Sequence, residues 1–463
     1  MSDRQTTIIG PFRFDTPSEW SVERMREYIQ VLTRGRQPSY IESGGIPVIN
    51  QKCIYWDGFH FTELRFTEDD GNWKAKNFPS KDSVLINSTG EGTVGRAQVY
   101  NSDVQRVIDS HVTNVLTDDR VSPYHLRYYL ESELGQSLFQ SMCVNGSTGQ
   151  TELSKSQFKL LPIRVPPRAE QERIASVLYT VDKHVEALDQ RHSDLQDLKH
   201  ALMQDLLIGA SRLGPDTPVH SKVCDSPHTY EVGEEIEERN TAGREPMDED
   251  VPSDWSIQTI GDVSVEMKDG ATPNRNKDDQ YFGGDINWAV IKDVEYEMTD
   301  TEEKLTQDGL DSCSAKVWPE GSVIVTTGAT IGKVGIAVEP TATKQGITGI
   351  IPDDSRVNNH YLARYLESKT KLLNRYSQGS TIKETRPFIL RTINIPIPSV
   401  GEQERIASVL YTVDEMIAQT SELRDEYEQA KRGLMQDLLS GEVRTPNSLQ
   451  PTHHVHATTQ LRG

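Results

Sequence analysis

Four cysteines, Cys53, Cys143, Cys224 and Cys313, lie far apart with no C-x-x-C pair, which argues against a zinc knuckle and against a secreted disulfide scaffold. Gly328-Ala-Thr-Ile-Gly332-Lys333 looks like a phosphate loop, but it is one residue short between its glycines, and Val334 stands where a magnesium-binding Ser or Thr belongs. Pro352-Asp353 followed by Glu367-Ser-Lys369 has the letters of a metal-dependent nuclease, yet Glu367 and Lys369 fall in an amphipathic helical stretch. Glu133 takes the place of that lysine in a second, related stretch. His453, His454 and His456 have no carboxylate or cysteine at ligand spacing. The Asp/Asn-Pro-Pro-Tyr/Phe motif that would hold a flipped adenine is missing, as is a G-x-G-x-x-G fingerprint. These residues predict a chain with no catalytic residue, no metal and no cofactor of its own.

The 463 residues are 35% hydrophobic with a mean hydropathy of −0.58, so more than one domain is expected, with some stretches outside any core. No apolar run approaches the ~20 residues of a membrane span, and the opening MSDRQTTIIGPFRFD lacks the layout of a signal peptide. A cytoplasmic protein is expected. Seventy acidic against 49 basic side chains give a net charge of −21, which would argue against a nucleic-acid partner. A carboxylate-rich surface also keeps a protein hydrated in a salt-filled cytoplasm. Global charge is therefore read as habitat, not partner.

The elements that must position any functional residue come in duplicate. Glu170-Gln-Glu-Arg-Ile-Ala-Ser-Val-Leu-Tyr-Thr-Val-Asp182 recurs letter for letter from Glu402 to Asp414, and the same offset carries Met203-Gln-Asp-Leu-Leu207 onto Met435-Gln-Asp-Leu-Leu439. Upstream, Pro17-Ser-Glu-Trp-Ser21 answers Pro252-Ser-Asp-Trp-Ser256, and Tyr129-Leu-Glu-Ser132 answers Tyr365-Leu-Glu-Ser368. The pattern is a diverged module, a preserved helix, a diverged module and a preserved helix. Each preserved stretch has a coiled-coil period. Ile174, Leu178, Val181, Val185, Leu188, Leu195 and Leu202 form the predicted pairing face of the first helix, and Ile406, Leu410, Val413, Ile417, Tyr427 and Leu434 that of the second, with Thr420 its soft spot. About 38 residues at ~1.5 Å each give a rod of ~57 Å. Ser399 with Glu402 predicts a capping box, and Gly209 and Gly441 sit where the helices stop. Val177, Val409 and Met416 lie off the seam and are expected to take a partner helix.

In the diverged modules, Ser83-Val-Leu-Ile-Asn87 and Ser322-Val-Ile-Val-Thr-Thr327 read as strands. Each runs through a glycine turn into a second strand, at Val94 and Val334. A helix follows near 122–139 and 358–376, with Ser122-Pro123 as cap and first helical residue.

Taken in order, and twice, these motifs resemble the specificity subunit of type I restriction-modification systems over essentially the full length. The second half carries Gly270-Ala-Thr-Pro273, Tyr281-Phe-Gly-Gly-Asp-Ile-Asn-Trp288, Gly321-Ser-Val-Ile-Val-Thr-Thr, Ile331-Gly-Lys-Val-Gly335 and Ile395-Pro-Ile-Pro398. The first carries Asp82-Ser-Val-Leu-Ile-Asn-Ser-Thr-Gly90 and Val165-Pro-Pro-Arg-Ala-Glu-Gln-Glu-Arg173 but lacks Gly-x-Thr-Pro and Ile-x-Trp, which marks its recognition domain as a different subtype. The resemblance implies an α+β fold. Two target-recognition domains of mixed sheet and helices are each followed by a long helix, and the two long helices pair antiparallel as a coiled-coil spacer with pseudo-twofold symmetry. The expected boundaries are a first recognition domain at 1–167, its spacer helix at 168–210, a flexible acidic linker at 211–250, a second recognition domain at 251–399, its helix at 400–444 and a disordered tail at 445–463.

The resemblance also implies a non-catalytic subunit that reads the two halves of a split, asymmetric site in double-stranded DNA. Its expected partners are two adenine-N6 methyltransferase subunits and ATP-driven translocase-nuclease subunits. S-adenosylmethionine, ATP and Mg are expected in those partners, and no membrane association is expected. Base edges are read by polar side chains on loops. The candidates in the second domain are Thr272, Asn274, Arg275, Lys277, Thr326, Thr327, Lys333, Ser380, Thr381 and Lys383. In the first they are Asn50, Gln51, Lys52, His60, Lys74, Lys76, Asn87, Ser88, Thr89, Ser147 and Thr148. Trp56 and Trp288 are read as core residues. The alternatives are a non-catalytic coiled-coil scaffold carrying two protein-binding modules, and an enzyme with an unrecognised site.

Overall fold

The computed structural model describes residues 3–146, 151–214, 250–377 and 387–451, so the linker reading falls almost wholly outside the described residues. The chain forms two compact units, Met1–Gln190 with Ser421–Gly463, and Arg191–Thr420. The division falls inside both long helices, Arg168–Leu206 and Val400–Ser440, and not at the ends where the sequence reading placed its boundaries.

In the first unit an antiparallel sheet runs in the order Ile29–Arg34, Val112–Thr117, Ser83–Asn87, Ala97–Tyr100. Every residue of Ser83–Asn87 is buried because both faces of the strand are covered. Val84 and Ile86 join one core with Leu126, Leu130 and Phe139 of the helices, while Leu85 joins a second with Ile49, Cys53 and Ile108. A second sheet, in the order Val107–Ile108, Ile46–Ile49, Arg65–Thr67, Tyr40–Ile41, begins with a parallel pair. The second strand expected at Val94 starts only at Ala97, since three positive-φ glycines, Gly90, Gly92 and Gly95, lengthen the turn.

The second unit repeats this plan. Ser264–Asp269, Ile347–Pro352, Val323–Thr326 and Val334–Ala337 follow in the same order, and Phe282–Ala289 pairs parallel with Thr341–Thr343 as Ile46–Ile49 does with Val107–Ile108. The missing motif of the first module is therefore present in altered form. Gly35-Arg-Gln-Pro38 occupies the place of Gly270-Ala-Thr-Pro273. A Cβ on Gly35 would meet the Asp109 carbonyl at 2.0 Å, and one on Gly270 the Thr343 carbonyl at 2.1 Å. The close approach demands glycine in both, whereas the Trp288 site is filled by Val48.

Each expected helix after the sheets is two: Pro123–Glu131 with Glu133–Cys143, and Asn359–Ser368 with Thr370–Tyr376. Ser132 turns extended, ends one helix and caps the next by accepting from the Gly135 N–H at 3.1 Å.

Within each unit the long helices run antiparallel. In the first, Ile174 and Leu178 pack with Met435, Leu438 and Leu439 against Trp20 and Tyr128. In the second, Ile406, Val409 and Leu410 pack with Met203, Leu206 and Leu207 against Trp255. Val185, Leu195 and Val413 are buried, while Val181, Leu188, Leu202, Ile417, Tyr427 and Leu434 are half-buried. His184 stacks on Tyr427 with centroids 5.4 Å apart. Val409, expected to await a partner helix, is spent in the core of its own unit, and Val177 packs partly against its own. Thr420 is buried, and its hydroxyl donates to the Met416 carbonyl at 2.7 Å. The Glu402 carboxylate, expected to close a capping box, is held instead by Arg212 at 2.6 and 2.8 Å. The start of the tail is not disordered: Thr445 is buried and accepts from Arg173 Nε at 3.0 Å. Among the described residues no helix is long and apolar enough to cross a membrane.

Candidate nucleic-acid interface

The sheet ends bring four loops of the first unit together. Strand Ile29–Arg34 delivers Gln37, the short helix Gln51–Cys53 delivers Gln51, the turn after Ser83–Asn87 delivers Thr89, and the link into Val112–Thr117 delivers Ser110 and His111. The Thr89 hydroxyl lies 2.7 Å from His111 Nδ1 and 3.1 Å from Gln51 Oε1. Ser110 donates to Gln37 Oε1 at 2.7 Å. The buried Asp109 pins this corner, accepting from the His111 N–H at 2.8 Å and the Tyr40 hydroxyl at 3.1 Å. Burial pushes its carboxyl above the ordinary range, against the pull of the His111 N–H. Burial likewise pushes the nearby Cys53 thiol up to about 11, so it is an inert core residue.

Around this cluster, Lys52, Lys74 and Lys76 are exposed and form no ion pair among the described residues. His60 reaches Asp57 at 3.0 Å and stacks on Tyr55, whose ring also carries Arg96. Other cations are neutralised within the unit: Arg34 pairs with Glu152, and Arg36 with Asp70.

Several predicted contacts belong to the framework. Asn50 is buried, accepting from the Lys52 N–H and donating to the Glu63 carbonyl. Asn87 is buried, donating to the carbonyls of Gln51 and Ile54, and Ser88 is buried against Thr113. In the second unit Thr326 is buried, accepting from the Lys333 N–H at 2.9 Å, and Thr327 is buried beside Thr348. These five hold the turns and face inward, because their polar groups satisfy backbone groups of the turns or pair with one another in the core. Thr272 is half-buried, Asn274 caps the Asn276 N–H at 3.0 Å, and Lys333 is exposed, with Nζ 3.4 Å from the Ile291 carbonyl. Arg275 pairs with Glu303 at 2.6 Å and lies over Phe282. The side chain of Lys277, and Ser147, Thr148, Ser380, Thr381 and Lys383 entirely, lie outside the described residues. Trp288 is fully buried, its indole N–H donating to the Ala271 carbonyl at 3.1 Å, and Trp56 is half-buried against the core.

Sequence reasoning missed Gln37, Ser110 and His111, and in the second unit Lys344 and the exposed Gln345 at the equivalent link. The signal was available in the shared Gly-x-x-Pro spacing of 35–38 and 270–273. The cluster offers amide, imidazole, hydroxyl and ammonium groups, the donors and acceptors that read base edges. Among the described residues no group of His, Cys, Asp and Glu could hold a metal ion.

The family model "Type I restriction modification DNA specificity domain" matches residues 17–196 and again 252–429. The MjaIX specificity subunit of Methanocaldococcus jannaschii, a type I restriction enzyme component, is 37% identical over 36% of this chain and 39% of its own length. A putative type I MjaX specificity subunit of the same organism is 21% identical over 93% of this chain and 95% of its own. Among solved structures, one chain described in connection with complex assembly and conformational transition of the type I R-M system has a TM-score of 0.56. It is 16% identical, with 92% of this chain and 99% of that chain covered. The type I S subunit from M. genitalium gives a TM-score of 0.52 at 13% identity over 90% and 96%. The domain match in both halves, on modules that share one strand order, makes this chain a member of the type I restriction-modification specificity family.

Proposed function

We propose that the two modules read the two halves of a split DNA site, one half each, and that the chain itself performs no chemistry. The observation that carries this reading is one framework with different edges. Equivalent positions hold Gln37 and Thr272, Gln51 and Ile291, and His111 and Gly346, on strands of the same order. A shared run of four strands bearing unlike donors and acceptors fits an asymmetric bipartite sequence. The long helices then fix the unread gap between the halves. Two adenine-N6 methyltransferase subunits dock on the chain and act on flipped adenines with S-adenosylmethionine. ATP- and Mg-dependent translocase-nuclease subunits join them for restriction in the cytoplasm. The test is methylome sequencing of a host expressing this chain with its candidate methyltransferase, against deletion of this chain alone. An N6-methyladenine motif of two short halves around a fixed gap, lost on deletion, is the expected outcome. Unchanged methylation with an active partner would overturn the reading.

A further inference from the structure

Side chains that read different bases should differ between the two modules, whereas a side chain that grips the uniform phosphate backbone should keep its charge. Main-chain hydrogen bonds supply the alignment. The Asn87 amide donates to the Arg96 carbonyl at 2.8 Å, and the Thr326 amide to the Lys333 carbonyl at 2.9 Å. Gly95 and Gly332, one residue earlier, share φ of 95° and 92°, and their amides return to the carbonyls of Asn87 and Thr326 at 2.9 Å. Arg96 and Lys333 therefore occupy one position of a common turn. Neighbouring cations fail the same comparison. Gly35 and Gly270 set Arg34 against Asp269 and Arg36 against Ala271, and Lys292, the counterpart of Lys52, is spent on Glu302.

At this position both modules hold a cation, and among the described residues neither commits it to a carboxylate. The Arg96 side chain makes no hydrogen bond or ion pair there, and its Cζ lies 5.1 Å from the centroid of the Tyr55 ring. None of its nitrogens is both buried and unpartnered, so the half-buried guanidinium opens to solvent. Lys333 is exposed, and its Nζ meets only the Ile291 carbonyl, at 3.4 Å, among the described residues. Both cations lie against the same element. Tyr55 stands two residues past the short helix Gln51–Cys53, and Ile291 opens the equivalent helix Ile291–Asp293. Gln51 is tied to Thr89 in the polar cluster, so the cation flanks the groups assigned above to base reading. In a chain of net charge −21, a surface cation kept without a counter-charge through this divergence calls for an anion from outside. Guanidinium and ammonium share phosphate as a ligand, the first as a fork and the second as a point charge.

We propose that Arg96 and Lys333 each grip a DNA backbone phosphate, one in each half-site, as the sequence-independent footing from which the unlike cluster residues read bases. The proposal rests on the reading of the two modules as DNA-binding, and it moves Lys333 from a base edge to a phosphate. The experiment measures binding of the full chain, assembled with its candidate methyltransferase, across a range of salt. The probes are a duplex carrying the motif that methylome sequencing yields and duplexes altered in either half. Arg96→Gln and Lys333→Gln should each weaken binding to all of them and make the salt slope shallower by about one, with base preference unchanged. Lys333→Arg should keep the slope of the unaltered chain. Neutral methylphosphonate, placed at one phosphate at a time, then locates the contacts. One substitution in the first module's half-site should weaken the unaltered assembly and cost nothing further in Arg96→Gln, and another in the second half-site should do the same with Lys333→Gln. Unchanged salt slopes in both variants, or methylphosphonate losses that persist undiminished in them, would overturn the proposal. A changed base preference in Lys333→Gln would return that residue to base reading and overturn it equally. The underlying reading fails separately: an unaltered assembly that binds the motif duplex no better than the altered ones would sink the two-module reading, and the proposal with it.

Discussion

Gln51, Thr89 and His111 are tied to one another and to the framework, so each is presented in one orientation before DNA arrives. Such preorganisation reduces the cost of ordering side chains on binding. Gln51→Ala or His111→Ala should each cost about 1–3 kcal/mol of discrimination in one half-site and leave the other unaffected. Binding titrations on DNAs altered in either half would decide; equal losses on both halves would exclude the assignment. Asn87→Ala should behave differently. It strips two buried carbonyls of their donor, so it should lower stability by about 1–3 kcal/mol without changing which bases are preferred. His125 adds a pH dependence. Burial, opposed by a 2.8 Å hydrogen bond to the Arg164 carbonyl, pushes its imidazole down to about 4. The unfolded chain takes up that proton near pH 6.5, so the first unit loses stability as pH falls from about 6.5 to about 4, by up to about 3 kcal/mol. In urea unfolding across that range, His125→Gln should flatten this step relative to the unaltered chain.

At the scale of elements, the identical stretches explain themselves as joints. Gln171 accepts from the Ser122 N–H at 2.8 Å and donates to the Arg120 and Pro166 carbonyls; Gln403 does the same with Asn358, Arg356 and Pro398. Each glutamine locks the start of a long helix to the N-cap residue of the helix pair beside it. Glu170 and Glu402 are likewise held by Arg444 and Arg212. The repeat was legible because such joints tolerate no change of shape. What the letters concealed is how Asp182 and Asp414 are neutralised. Lys431 reaches Asp182 and Glu131 at 2.6 Å, and Lys199 reaches Asp414 and Glu367 at 2.9 and 2.8 Å. The guanidinium comes from Arg127 in one copy and Arg364 in the other, which are not aligned residues. Which turn of a short helix faces the long one depends on packing, and no local pattern encodes it. Burial alone would raise the Asp182 carboxyl, but Arg127 and Lys431 outweigh it and hold it below the usual range. Lys431→Met should therefore destabilise the first unit by about 3 kcal/mol by leaving the Asp182 and Glu131 carboxylates to share the single Arg127 guanidinium, and Asp182→Asn in the same chain should recover part of the loss. Chemical denaturation of the single and double variants measures both; simple additivity would mean the cluster is not a unit.

For the whole molecule, the charge of −21 sets the terms on which DNA is approached. Near the polar cluster of the first module Arg34 and Arg36 are spent on internal carboxylates, while Lys52, Lys74 and Lys76 are exposed there and Lys333 in the second module. Few phosphates can then be neutralised, so counterion release contributes little, and base contacts and partner subunits carry a larger share of the affinity. On the high-salt side, the logarithm of affinity should fall with the logarithm of salt along a shallow slope, on the order of −2 to −4. Lys74→Ala and Lys76→Ala should each flatten it by about one while leaving sequence preference unchanged. At ionic strengths where the Debye length is below ~10 Å, repulsion from distant carboxylates is screened, so the acidic surface should weaken binding only at low salt. Affinity measured from low to high salt should therefore pass through a maximum, and a steep monotonic decline would place many more cations on the phosphates than the described surface provides.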